Sequence, residues 1–64
     1  MPERALLRED FQRMLQTAQT AAQEYEQLGL QAVDPQMQEQ FQRLAREKYR
    51  HVELAQRLLE IVTE

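Results

Sequence analysis

The side chains able to do chemistry in this 64-residue chain are few, and most lie on one stretch. His51 is the only histidine; Glu47 precedes it by four residues and Lys48 by three. Residues four apart share a helix face, so Glu47 and His51 offer two metal donors from one helix. A second copy would double that set, and Glu24 is the further carboxylate best placed to join it. Iron or zinc suits such donors. His51, Glu47 and Glu24 are therefore the candidate ligands of a metal site formed between protomers. The competing reading makes His51 a core or interface histidine, hydrogen-bonded through one ring nitrogen, with no cofactor. Nucleophilic catalysis has little to work with, because Ser and Cys are both absent. A single glycine cannot build a phosphate-cradling loop. No residue is assigned a catalytic role.

Two helices must position these groups. In the first, apolar residues fall at Leu7, Phe11, Met14, Ala18, Ala21, Tyr25 and Leu28, in alternating steps of four and three. That spacing is the seam of a helical bundle, and Leu15 and Ala22 widen it. The second repeats it at Met37, Phe41, Leu44, Lys48, His51, Ala55, Leu58 and Val62. Ala45, Val52 and Leu59 flank this seam on one side, Leu54 and Ile61 on the other. Lys48 and His51 are its two polar members, so the pattern is broken only where the chemistry-bearing side chains stand. Lys48 needs an acid if it is buried, and Glu24 or Glu47 of either protomer is expected to supply it. Tyr25 is expected in the core and Tyr49 at an edge or in solvent.

Asp34-Pro35 divides the helices: the residue before proline is driven out of helical angles, Asp caps well, and Pro suits a first turn. Pro2 and Glu3 suit the start of the first helix on the same grounds and by the dipole. Gly29 followed by Leu30 either caps that helix or lies inside it. The spans are then about 3–31 for helix 1, 32–34 for the corner and about 35–62 for helix 2. Glu9–Arg13, Glu39–Arg43 and Glu53–Arg57 are spaced to pair along the helix surface.

Composition narrows the class. A domain this short buries only about 60% of its unfolded surface, and without Cys it has no disulfide to compensate, so association is expected. The net charge of −3 offers no basic footprint for nucleic acid. No apolar run reaches the ~20 residues of a membrane span, and MPERALLRED lacks a signal peptide's apolar stretch. A cytoplasmic protein is expected.

Glu24-Tyr25-Glu26-Gln27-Leu28, then Asp34-Pro35, then Phe41, Leu44-Ala45 and His51, resembles the helical hairpin of rubrerythrin-type ferritin-like proteins. The resemblance spans more than half the chain. It implies an all-α, antiparallel two-helix hairpin that dimerises into a ferritin-like four-helix bundle. In that family a Glu stands one heptad before the Tyr, and a Glu three residues before the His. Here those places hold Ala18 and Lys48, so the di-iron ligands are degenerate. The expectation is a homo-oligomeric module, structural or binding rather than catalytic. Two alternatives stay open. One is a metal-binding, ferroxidase-like protein resembling encapsulated ferritins, and the other an adaptor hairpin packed on a larger partner protein.

Overall fold

The computed structural model describes residues 3–63, so the expectation for Pro2 lies outside the described residues. Helix α1 runs Glu3–Gln31 and α2 runs Pro35–Thr63, and the two pack against each other along their length. Gln, Glu, Arg, Ala and Leu dominate both and are good helix formers. The corner between them is well specified. Asp34 accepts a hydrogen bond from the Gln36 backbone N–H through Oδ1 at 2.9 Å, satisfying one of the free donors that open α2. Gln38 reaches back from α2 and donates its Nε2–H to the Ala32 carbonyl at 2.6 Å.

Gly29 is internal to α1 and buried, with no left-handed backbone. Its lack of a side chain matters for packing. A Cβ built there would lie 3.5 Å from the Phe41 Cβ and 3.7 Å from the Gln42 Cγ. That contact fixes the register: Gly29 stands opposite Phe41 and Gln42. One turn earlier the Tyr25 ring stacks on Phe41, centroids 6.5 Å apart and planes inclined by 25°.

The inter-helix contact lies one step round from the expected seam. Ala22, Ala45 and Val52, expected as flanks, are buried, as are Ala55 and Val62. Phe11, Leu15, Ala18 and Tyr25 are half-buried beside them. Met14, Leu28, Met37 and Leu58, expected on the seam, are exposed, and so is His51. The surface pairs also differ in part from expectation. Arg43 meets Glu39 at 3.5 Å, but Arg13 pairs with Asp10, three residues back, rather than Glu9. Glu53 and Arg57 do not pair with each other.

The result is a single layer. Its Cα envelope measures 51 × 13 × 10 Å, and its radius of gyration of 14.8 Å exceeds the ~11 Å of a compact chain this long. Among the described residues no large side chain is fully buried, because the contact is built from Ala, Gly and Val.

Gly29→Ala should stabilise the protein. The added methyl meets ordinary van der Waals distances, and replacing a helical Gly gains up to about 1 kcal/mol. Thermal denaturation followed by circular dichroism should show a rise of a few degrees, whereas Gly29→Leu should lower the midpoint.

Candidate functional site

Reading each helix in steps of seven separates its two sides. One side carries Leu7, Met14, Ala21 and Leu28 on α1, with Met37, Leu44, His51 and Leu58 on α2. The other carries Gln12, Gln19 and Glu26, with Gln42, Tyr49 and Gln56. Both helices turn their apolar rows to the same face of the hairpin, because positions seven apart drift little around a helix. On that face an open groove of about 850 Å³ runs between the helices. Met14, Ala18 and Ala21 line it from α1, and Lys48, His51, Leu54 and Leu58 from α2.

Lys48 and His51 make the groove polar at mid-length, and Asp10, Arg13 and Thr17 add polar groups along its α1 side. Leu54 is 51% exposed and Met14 52%. Lys48 is half-buried, beside the alanines that leave room for its long stem, and His51 is exposed one turn further on. Among the described residues the ion pairs are Arg13–Asp10 and Arg43–Glu39, so neither Glu24 nor Glu47 of the same chain pairs with Lys48.

The three candidate ligands are not brought together within one hairpin. Glu24, Glu47 and His51 are all exposed, and among the described residues no three His, Cys, Asp or Glu side chains converge as a metal site would require. The donor set does not fit a di-iron centre: Ala18 has no donor atom, and Lys48 presents a cation where a neutralising carboxylate would be needed.

Sequence reasoning missed one polar contact on the opposite face. A smaller groove there is lined by Glu26, Gly29, Ala45 and Tyr49, opened by the missing side chain of Gly29. Tyr49 and Glu26 line it together, and the neighbouring Glu26 carboxylate, as a hydrogen-bond acceptor and a negative charge, with slight desolvation, holds the phenol above its ordinary 10.0. The signal was present, since Glu26 and Tyr49 sit on matching rows, but only the register set by Gly29 puts them level.

No protein-family model, curated protein or solved structure matches this chain. Among the described residues no helix is long and apolar enough to cross a membrane.

Two measurements probe these polar groups. In a Tyr25→Phe background, the ultraviolet phenolate signal of Tyr49 should appear above pH 10 and move down in Glu26→Gln. Because the folded state holds this proton more tightly, Tyr49 favours folding below pH 10, and that contribution fades as pH climbs through its raised pKa. For Lys48, replacement by Leu should raise the melting midpoint, since among the described residues no acid pairs with its half-buried side chain. A lower midpoint would mean that the lysine has a partner.

Proposed function

We propose that this protein is a self-associating helical module. Two hairpins close face to face into a four-helix bundle of ferritin-like type, serving a structural or binding role rather than a catalytic one. The observation that carries this reading is the exposed apolar face. Leu7, Met14, Leu28, Met37, Leu44, Leu54, Leu58 and Ile61 all belong to it, and most are exposed. A protein domain ordinarily packs two layers around a core, and this hairpin supplies one.

Surface area supports a partner of the same size. The chain exposes 5197 Å², whereas a compact 7.7 kDa monomer exposes about 4,300 Å². The excess of roughly 900 Å² is close to the ~800 Å² that each partner contributes to a stable interface. A second copy fits best because one face that is apolar along its length, save for Lys48 and His51 at the middle, can cover itself through a twofold axis. The ferritin-like comparison draws its support from Tyr25, Asp34-Pro35, Phe41, Leu44-Ala45 and His51. Ala18 and Lys48 favour a scaffold over a metal enzyme.

Light scattering on the purified protein should give twice the 7.7 kDa chain mass. Met14→Glu and Leu28→Glu should each shift the population toward monomer and reduce helicity, because each copy loses about 1.5–3 kcal/mol of side-chain burial. A helical monomer at micromolar concentration would instead favour the adaptor reading. Stoichiometric iron or zinc retained after exposure to the metal would overturn the inert scaffold.

A further inference from the structure

We propose that Met14 and Met37 are modification sites through which hydroperoxides control assembly: oxidising their thioethers to sulfoxides keeps the hairpins apart. This inference rests on the self-association reading and names a regulation of that same face. The chain has three methionines, and the third, Met1, lies outside the described residues. Both described methionines belong to the exposed apolar face, and each is 52% exposed. Met14 lines the open groove from α1, whereas Met37 stands in the first turn of α2 beside the corner. They mark separate parts of the face, and neither belongs to the hairpin contact, whose buried residues are Ala, Gly and Val.

Chemistry singles out these two positions. The face is otherwise built mainly of Leu, Ile and Ala, which resist mild oxidants. A thioether sulfur is soft and polarisable, and peroxides oxidise it readily. The chain has neither Cys nor Trp to intercept the oxidant. A sulfur lone pair attacks the outer oxygen of a hydroperoxide, so that an S–O bond forms and the O–O bond breaks. The proton passes to the departing oxygen, which leaves as water or an alcohol. Sulfur gives up two electrons and the peroxide takes them. The product is a polar sulfoxide, hydrated on a free hairpin.

Closing a second copy over that oxygen strips its water, which is costly unless a donor replaces it. On the α1 side of the groove Arg13 is engaged by Asp10, so the Thr17 hydroxyl is the donor left beside Met14. Leu and Ile along the rows offer none. Assembly and oxidation therefore oppose each other. A thioether covered by a second copy is shielded, while one on a free hairpin is open, so the oxidant acts on the dissociated chain and traps it. Concentrated protein is protected by mass action and dilute protein is sensitive. A sulfoxide reductase drawing on two thiols releases the oxygen as water and restores the apolar face.

Hydrogen peroxide is the probe, applied to wild-type protein and to the double variant M14L/M37L. Leucine keeps volume and apolar character, so the variant should match the wild type in helicity and in mass by light scattering. After treatment, peptide mass mapping should place an oxygen on Met14 and on Met37. The wild-type dimer dissociation constant should rise by about tenfold or more, and sulfoxide reductase should reverse the change. M14L/M37L should keep its assembly, and because Met1 is common to both proteins its oxidation cancels. Sulfoxide formation should slow as protein concentration rises through the monomer–dimer transition. A dimer that persists with both sulfurs oxidised, an equal loss in M14L/M37L, or an oxidation rate indifferent to concentration overturns the proposal and leaves self-association standing. Untreated wild-type protein that stays monomeric by mass removes the self-association reading itself. If the double variant does not assemble, M14L and M37L take its place, each expected to respond only through its remaining methionine.

Discussion

The structure depends on a mismatch between the width of the apolar arc on each helix and the width of surface that one neighbouring helix can cover. Each helix carries three adjacent apolar rows. The hairpin contact uses two of them, and because its buried positions are Ala, Gly and Val, with Phe11, Leu15, Tyr25 and Phe41 only half-buried beside them, it buries little. The third row on each helix is turned to one face. Close packing inside the hairpin thus leaves its larger side chains outside it, where they are the main apolar resource for any assembled state. The proposed self-association rests on this exposed face rather than on any polar residue.

Lys48 and His51 acquire meaning from the same geometry. On an ordinary solvated face a lysine and a histidine would carry no message. Here they interrupt rows that are otherwise apolar, at the level where alanines on α1 leave space. An ammonium in that volume opposes the binding of a dication. A polar layer at mid-length of a bundle lowers stability but discriminates among registers, as single polar seam residues do in coiled coils.

The opposite face carries the contacts that show how the helices are paired. Gly29 stands against Phe41 and Gln42, which marks the register of the hairpin. The Tyr25–Phe41 stack and the levelling of Glu26 with Tyr49 both follow from it. Helix propensity would have preferred Ala at this position, and the helix spacing leaves room for its methyl, so the glycine is neither a cap nor a packing requirement.

Much of this was legible in the residues themselves. Apolar spacing of three and four encodes two helices, and Asp34-Pro35 encodes the corner, because capping and proline's steric demands are local effects that need no tertiary partner. The residues of the apolar arc were also legible, and so was the oddity of Lys48 and His51 within it. What the sequence left open was how that arc is divided. Its expected seam ran down the middle, but the hairpin contact takes one half and leaves the other to solvent. Periodicity fixes which residues share a side of a helix, whereas the rotation of one helix against its neighbour is decided by which side chains are small enough to let the backbones meet. That choice needed Ala22, Gly29 and Ala45 placed against one another, and only the folded hairpin does so.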